Sequence, residues 1–470
     1  MVRFVCGFAP LLMAGCMSLQ TSGEPAADLL QINAEPPANW TRATAAPVEP
    51  DIHWLASFNV PELSGLVSEA LTQNSGLKAQ YLTVMASRQQ LAAVRGRGLP
   101  NATLGLSSTG SSAVAGLPGF EERRETNAFG VNANIGWEPD LWGRIGAGID
   151  ASVNELLASE ADYAAARLSL AAQTVTAWFD LNEALAQERV ARKTLSARDR
   201  ARELTERRFD RGLASALDVR TTRSSVASAE AAIAQRMAAS GNAARRLEVL
   251  LGRYPATEID ASANVPALQP LSDAGTPASL LVHRPDIVAA EARVVAAGFR
   301  AEQARLALFP VFNLNASLAT NEDRLSSVFD PSRLAAQAVA SLAGPLYSGG
   351  SLRAEREAAL IRAEAALERY AATVLNAWKE VEDARAADRA LLAQEEALLR
   401  SLEQALLAED LAERQYSRGL VSIFNLIEAQ TRRLNAESSL VAVRSGRASN
   451  RVFYHLALGS GLAPTIATNK

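Results

Sequence analysis

The most informative stretch of the sequence is Phe129-Gly130-Val131-Asn132-Ala133-Asn134-Ile135-Gly136-Trp137, in which apolar residues alternate with Gly and Asn. A period of two is typical of a β-strand with one apolar and one polar face. Five residues later begins a segment, 142–209, that contains many alanines and no proline. This composition favours one continuous helix, which at about 1.5 Å per residue would be on the order of 100 Å long. The chain therefore combines a two-faced strand with a very long helix.

This strand is the second arm of a predicted β-hairpin, with strands at about 101–110 and 126–138 and a polar loop between them. A helix of roughly thirty residues precedes the hairpin and ends before Pro100, because proline cannot continue the hydrogen-bond ladder of a helix. The long helix ends at a turn containing Gly212, as expected of a residue without Cβ. A second helix of about 37 residues then returns to Gly252.

The same arrangement occurs twice, because the sequence contains an internal duplication. A shift of 207 positions places 204–252 on 411–459 without a gap, and the identical positions include the turn sequence Arg-Gly-Leu-x-Ser. The second copy predicts strands at about 311–320 and 333–346 and a long helix at 352–416. Each half therefore consists of a helix, a hairpin, a long helix and a returning helix. The two shorter helices together have about the length of the long one, so they could stack end to end beside it.

The predicted organisation follows from the two copies and the segments around them. The segments are 1–15, a signal peptide; 16–57, an acylated N-terminal arm; 58–252, the first repeat; 253–277, a proline-containing linker; 278–459, the second repeat; and 460–470, a C-terminal tail.

The N-terminus has the pattern of an export signal: one cation, Arg3, a short apolar stretch at 4–13, and small residues before Cys16. Small residues followed directly by Cys resemble the bacterial lipobox. This resemblance implies that Cys16 becomes the first mature residue and carries a diacylglycerol and an N-acyl lipid, its only covalent group. Met17 and Ser18 lack the Asp that retains such lipoproteins at the inner membrane, which implies the outer membrane. An ordinary signal peptide with a chance cysteine is the alternative.

Composition excludes several classes of function. With 47 Lys+Arg against 51 Asp+Glu the formal net charge is −4, which argues against a phosphate-binding surface spread over the whole molecule, though not against a local patch, and no nucleic acid is expected. Both cysteines, Cys6 and Cys16, lie at the N-terminus, which excludes a thiolate metal site or a disulfide-stapled core in the body of the chain. Beyond the first sixteen residues no run of 18 apolar residues occurs, so no transmembrane helix is predicted.

The strands themselves suit a membrane barrel, although a soluble sandwich could use the same alternation. Asn, Ser and Gly on one face and large apolar residues on the other fit a lipid-facing barrel with a wet lumen. Strands of about ten residues cross a bilayer when tilted. Four strands cannot close a barrel, and open sheet edges are not tolerated in hydrocarbon, so several chains would have to share one barrel.

Short motifs spread over nearly all of the mature chain point to one family. They are the Cys16 lipobox, Trp137-Glu138-Pro139-Asp140-Leu141-Trp142-Gly143-Arg144, Arg284-Pro285-Asp286-Ile287 with Ala290-Glu291, Phe309-Pro310, Gly344-Pro345-Leu346-Tyr347-Ser348-Gly349-Gly350, and the tips around Gly212 and Gly419. Together they resemble the TolC-type outer-membrane efflux channels, in particular the OprM/NodT-like lipoprotein branch. The resemblance implies a mainly α-helical fold with transmembrane β-strands, in which a homotrimer forms a twelve-stranded barrel continuous with a periplasmic helical barrel.

The same resemblance implies a passive exit duct for small molecules, with no catalysis. Cargo would arrive from an inner-membrane transporter of the RND type through a periplasmic adaptor. Two other functions stay open: a type I secretion-type duct for polypeptides, and a periplasmic coiled-coil scaffold without a pore. The scaffold explains the helices but not the duplicated strands. An enzyme is not expected, because His283-Arg284-Pro285-Asp286 lacks the downstream Asn and the glycine-rich loop of a kinase.

The turns between the long and returning helices are predicted to form the adaptor contact, since an adaptor would meet six similar tips per trimer. The residues assigned to this contact are Arg211, Gly212, Leu213, Arg418, Gly419, Leu420 and Ser422. Generic helix turns are the alternative.

A periplasmic gate is predicted just past the second tip. Phe424, Asn425 and Glu428 share one helical face. The resemblance implies that the stretch written Asp-x-x-Asp-Ala in related channels, here 425–429, narrows the periplasmic mouth, with a ring of three Glu428 carboxylates. A solvated surface role for Glu428 is the alternative.

Trp137 and Trp142 are predicted to anchor the barrel at the membrane interface, with simple packing as the alternative.

Overall fold

The structure is a computed structural model that describes residues 54–115, 122–259 and 280–459, together with positions 261, 264, 268, 271 and 277. The predicted signal peptide, Cys16, the arm up to residue 53 and the tail 460–470 lie outside the described residues.

The described chain contains eight α-helices, four β-strands and three short 3-10 helices. The helices are α1 Pro61–Gln73, α2 Ser75–Gly96, α3 Arg144–Asp210, α4 Ala216–Leu250, α5 Leu280–His283, α6 Pro285–Leu306, α7 Ser351–Arg418 and α8 Ile423–Ala457; the strands are β1 Asn101–Ala115, β2 Glu122–Trp137, β3 Val311–Glu322 and β4 Ala335–Ala343; the 3-10 helices are Trp54–Phe58, Leu325–Ser327 and Pro331–Arg333. With 67 and 68 residues, α3 and α7 are the long helices that the sequence predicts.

The prediction of one thirty-residue helix before each hairpin is wrong. In the first half the segment is divided at Asn74, whose backbone is extended (ψ 121°) and whose side-chain oxygen accepts a hydrogen bond from the amide of Leu77. An Asn that caps a new helix in this way offers the backbone an alternative to helix continuation. In the second half, α6 has only 22 residues.

The predicted strand bounds also need correction. The first hairpin is longer than predicted, because β1 continues to Ala115 and β2 begins at Glu122, in the stretch that was expected to be a polar loop. In the second hairpin β3 extends to Glu322, whereas β4 is only nine residues long, at 335–343. The polar Ser and Thr residues of β1 pair across the hairpin, so polarity alone does not mark a loop.

The four strands form one antiparallel sheet in the order β1-β2-β3-β4. The register aligns Leu104, Ala133, Leu318 and Ala336 across all four strands, so their side chains lie on one face. The next row of the register aligns polar residues on the opposite face: Thr103, Asn134, Ser317 and Gln337. The predicted alternation is therefore confirmed, and within the chain β1 and β4 each keep one unpaired edge.

In both halves two shorter helices pack along one long helix. Beside α3, α2 and α4 lie end to end, and the side-chain amide of Asn74 donates to the carbonyl of Leu250 at 2.9 Å. Beside α7, α6 and α8 do the same. Gly252 (φ 74°) and Gly459 (φ 65°) stand at the two junctions, where a Cβ would lie 2.9 Å from a neighbouring backbone oxygen in each case. The expectation that the shorter helices stack along the long ones is thus confirmed.

Candidate functional sites at the helix tips and the strand–helix junctions

The first tip is a glycine turn followed by a capped helix. Gly212 has φ 73°, the conformation that the sequence predicts, and Leu213 next to it is 64% exposed. Ser215 and Asp218 then form a reciprocal capping box at the start of α4, with the Ser215 amide 2.9 Å from the Asp218 carboxylate. This tip therefore presents Arg211 and an apolar side chain to solvent on a rigid turn.

The second tip has the same backbone but a different cap. Gly419 has φ 80°, and Arg418 and Leu420 are exposed, the latter by 69%. At the start of α8 the hydroxyl of Ser422 donates to the side-chain oxygen of Asn425 at 2.6 Å, and no capping box forms. Since Asn replaces the acidic residue of the first tip, the two tips present similar shapes with different charge.

A partly buried contact, which sequence reasoning missed, joins the two tips. Arg208 Nη1 donates to the carbonyl of Tyr416 at 2.7 Å, Nη2 reaches the carbonyl of Leu213 at 3.3 Å, and the guanidinium lies 5.0 Å from the centre of the Tyr416 ring. The Tyr416 hydroxyl also makes a 2.8 Å hydrogen bond with the Thr205 hydroxyl, with both groups buried. The end of α3 is therefore bonded directly to the end of α7.

The signal for this contact lies in a difference between the copies. The shift of 207 places Phe209 on Tyr416. Phe209 is 44% exposed, whereas Tyr416 is 3% exposed and belongs to a small core with Ala201, Ile423 and Leu426. A buried Tyr needs a partner for its hydroxyl, so the Phe-to-Tyr change between copies marks the position.

The predicted gate residues line one shallow groove beside α7. Phe424 is 53% exposed, Asn425 is bound to the Ser422 hydroxyl, and the side chain of Glu428 is 60% exposed. Glu428 accepts a hydrogen bond from Arg432 at 2.9 Å, one helical turn away. Because this exposed pair partly neutralises the carboxylate, the local charge is weaker than the sequence alone indicates. The constriction itself stays a prediction.

Trp137 and Trp142 each donate a hydrogen bond to a turn that precedes a strand. The Trp137 indole donates to the carbonyl of Gly98 at 3.0 Å, and the Trp142 indole donates to the carbonyl of Pro310 at 2.6 Å. The ring of Trp142 also packs on Phe309, with centroids 5.6 Å apart. Each ring remains about two-fifths exposed, at 39% and 41%. Interfacial anchoring therefore stays a prediction beside a demonstrated packing role.

The Arg-Pro-Asp motif has a structural role at the start of α6. Arg284 is 8% exposed and holds Asp286 through two hydrogen bonds, of 3.0 and 2.7 Å. Its remaining Nη1 donates to Glu380 of α7 at 2.7 Å and to the carbonyl of Ala457 in α8 at 2.9 Å. One buried guanidinium thereby joins three helices, which is a use of the fork geometry of Arg.

Charged pairs also connect α8 to α7 along its length. Arg433 pairs with Glu409, and Arg444 and Arg447 both donate to Glu395, at 2.9 and 2.6 Å. Burial by itself raises the pKa of Glu395, but these two arginines hold it below its ordinary value. The seam between the second long helix and its returning helix therefore depends partly on ionised groups.

The described ranges contain neither a cluster of metal ligands nor a helical membrane span. Across 54–115, 122–259 and 280–459, no three His, Cys, Asp or Glu residues are grouped as metal ligands. None of the helices in these ranges combines the length and the apolar character needed to cross a bilayer.

A four-stranded sheet with one apolar face is continuous with two helices of about 100 Å, which is the subunit architecture that the resemblance to TolC-type channels implies. The sequence matches the family described as "Outer membrane efflux protein" over residues 66–253 and 276–460. The chain belongs to this family and is an efflux channel of the outer membrane, with its helical part in the periplasm.

Two relatives illustrate the match in sequence. The chain is 30% identical to the pyoverdine export outer membrane protein OpmQ of Pseudomonas aeruginosa over 457 residues, 96% of each protein. It is 27% identical to the cation efflux system protein CusC of Escherichia coli K12, over 87% of this chain and 88% of that one.

Solved structures agree with the fold. The outer-membrane channel OprN superposes with a TM-score of 0.80 and 27% identity, covering 92% of this chain and 100% of that one. A structure of CusC gives a TM-score of 0.79 and 25% identity over 90% of this chain and 97% of that one. The overall architecture predicted from the sequence is therefore confirmed at the level of the single chain.

Proposed function

We propose that three copies of this chain close one twelve-stranded barrel and one helical tunnel, and that the trimer is the passive exit duct of a tripartite efflux system. An RND-type transporter would supply the cargo through a periplasmic adaptor. A lipid on Cys16 would tether the arm to the outer membrane. The observation that carries this proposal is the apolar face of the sheet together with its two free edges.

The apolar face is exposed in the single chain. Leu104 and Leu106 on β1 are 79% and 71% exposed, Ile135 on β2 is 51% exposed, and Leu318 on β3 is 49% exposed. A face with this much apolar surface requires lipid or protein to cover it. Lipid is favoured because the opposite face carries Asn, Ser, Thr and Gln rather than a second apolar core.

The height of the apolar face matches a membrane. Along β2 the apolar side chains run from Trp137 to Phe129, eight residue steps, or roughly 26 Å along the strand. With a strand tilt of about 40° this is about 20 Å along the membrane normal, close to the roughly 25 Å apolar band of outer-membrane barrels. Beyond Phe129 the same face continues with Asn127, Glu125 and Arg123, which suit water and lipid headgroups.

The free edges require partners in the bilayer. The backbone groups on the outer edges of β1 and β4 have no strand partner within the chain, and hydrocarbon offers none. Pairing β1 of one chain with β4 of the next satisfies both edges, and three chains with four strands each close a ring of twelve. The chain then has no open edge in the membrane.

The helix tips support the adaptor as the second partner. Leu213 and Leu420 are exposed apolar residues at the far end of the helical part, each beside an exposed arginine. Because the same exposed Leu recurs on both rigid glycine turns, three chains would present six similar apolar contacts beside arginines, residue types that suit a protein interface.

Disulfide crosslinking tests the trimer. A cysteine at Leu104 in β1 is combined in turn with a cysteine at Ala336, Ala338 or Ala340 in β4. Within one chain these strands are three spacings apart, about 14 Å, too far for a disulfide. We expect at least one pair to give covalent trimers on a non-reducing gel, whereas each single-cysteine variant stays monomeric after heating. Folded protein that forms no interchain disulfide with any of the three pairs would contradict the proposed barrel.

A further inference from the structure

A groove of about 740 Å³ runs between α3, α4 and α8, above the first tip. Its volume is within the range of small-molecule sites, roughly 300–1,000 Å³. Residues of both repeats line the groove, because α3 and α4 belong to the first repeat and α8 belongs to the second. The contacts between the tips do not use it.

The lining combines positive charge with apolar surface. Three arginines line the groove, Arg198, Arg220 and Arg236, and the described lining residues include no Asp or Glu. Apolar side chains, among them Val190 and Ile427, alternate with hydroxyl and amide groups. Three arginines and no carboxylate in the described lining make the groove a locally positive surface within a chain of nearly balanced charge, and the carboxylate that acts on Arg236, that of Glu183, lies outside the lining.

Arg198 is the central observation, because it is buried without a carboxylate partner. Arg198 is 7% exposed. Its guanidinium donates to neutral acceptors, the carbonyl of Ile427 at 3.2 Å and the hydroxyl of Thr431 at 2.7 Å. The nearby carboxylate of Glu409 is bound to Arg433 instead. Burying a cation without a bonded anion is costly, so a bound anion would recover part of that cost.

The pKa of Arg198 also reflects its burial. Burial lowers it below its ordinary value, the negative charge of Glu409 opposes this shift, and the positive charge of Arg433 adds to it. The groove also contains an unsatisfied hydroxyl, since Ser225 Oγ is buried and has no hydrogen-bond partner among the described residues. Both groups would gain from an anionic, hydrogen-bonding ligand.

We propose that this groove is a binding site for an amphiphilic organic anion, a carboxylate or sulfonate with an apolar body. The anionic group would pair with Arg198 and the hydroxyls beside it. The apolar body would lie on the aliphatic side chains of α3 and α8. Arg236, exposed on the wall formed by α4, would contribute a second positive charge.

Calorimetry with 2-naphthalenesulfonate tests the site on the full-length trimer in nanodiscs, with empty nanodiscs as the blank. We expect saturable binding with one site per chain. Since a hydrogen bond to a charged group is worth a factor of about ten or more in affinity, Arg198→Gln and Arg236→Gln should each weaken binding about tenfold. The neutral analogue 2-naphthalenemethanol should bind at least about tenfold more weakly than the sulfonate.

Two variants keep the test independent of folding. Ser228 is exposed and lines the groove, so Ser228→Trp should fill it and abolish binding without disturbing the core. Arg223 lies on the same helix but pairs with Glu206 outside the groove, so Arg223→Gln should bind like wild type. The proposal is overturned if no saturable binding occurs, if the alcohol binds as tightly as the sulfonate, or if Arg236→Gln and Ser228→Trp retain the wild-type affinity.

Discussion

Replacing Gly419 with Ala should loosen the second tip more than replacing Gly212 with Ala loosens the first. Both glycines have positive φ, 80° and 73°, where an L-residue with a Cβ loses roughly 1–2 kcal/mol. At Gly212 a Cβ would meet nothing within 4 Å, so only this backbone cost applies. At Gly419 a Cβ would lie 3.3 Å from Nη2 of Arg208, the guanidinium that joins the tips. Displacing it weakens a charge-assisted hydrogen bond, for a further cost of about 1 kcal/mol.

Hydrogen exchange at the tips measures these costs, because local opening controls exchange of the turn amides. The amide of Leu420 is bonded to Gln415 and that of Leu213 to Arg208, at 3.0 and 2.8 Å. Since about 1.4 kcal/mol is a factor of ten, Gly212→Ala should accelerate exchange at its tip about tenfold, and Gly419→Ala severalfold more. Gly212→Asn is the matched control and should exchange more slowly than Gly212→Ala, since Asn tolerates positive φ.

A double variant isolates the contribution of Arg208. In an Arg208→Ala background the excess effect of Gly419→Ala over Gly212→Ala should disappear, because the group that the new Cβ displaces is gone. Equal acceleration at both tips in the wild-type background would refute the role of Arg208.

If the tips dock an adaptor, Gly419→Val should also increase drug susceptibility at an unchanged level of trimer in the membrane.

The remaining predictions concern the lipid, the gate and pH. Cys16→Ser should abolish incorporation of labelled palmitate while trimers persist, and label retained by the variant would remove the lipidation assignment. In planar bilayers Glu428→Ala should lower cation selectivity and Phe424→Ala should raise the closed-state leak; wild-type reversal potential and conductance in both would place the constriction elsewhere. Because Glu395 has a lowered pKa in the folded chain, its stabilising contribution is present above its ordinary pKa of 4.5 and is lost as pH falls below it. Melting curves should therefore show that Glu395→Gln is less stable than wild type near neutral pH and loses less stability in acid; parallel pH profiles would contradict this.

The sequence by itself determined the elements that depend on neighbouring residues. Alternation at 129–137 specified a strand with two faces, and the absence of proline at 142–209 specified the long helix. Gly212 and Gly419 marked the turns, because positive φ is a local property that glycine supplies at low cost. The duplication determined that the second half repeats the first, down to its end-to-end helices.

Only the tertiary structure decided which residues meet across more than 200 positions of chain. The bond between Thr205 and Tyr416 and the unpaired burial of Arg198 depend on how α3 packs against α7 and α8. The extension of the first hairpin to Ala115 and the helix break at Asn74 were also not specified by composition. Strand pairing and capping compete with the local preferences of polar residues, and packing between distant segments determines which of them prevails.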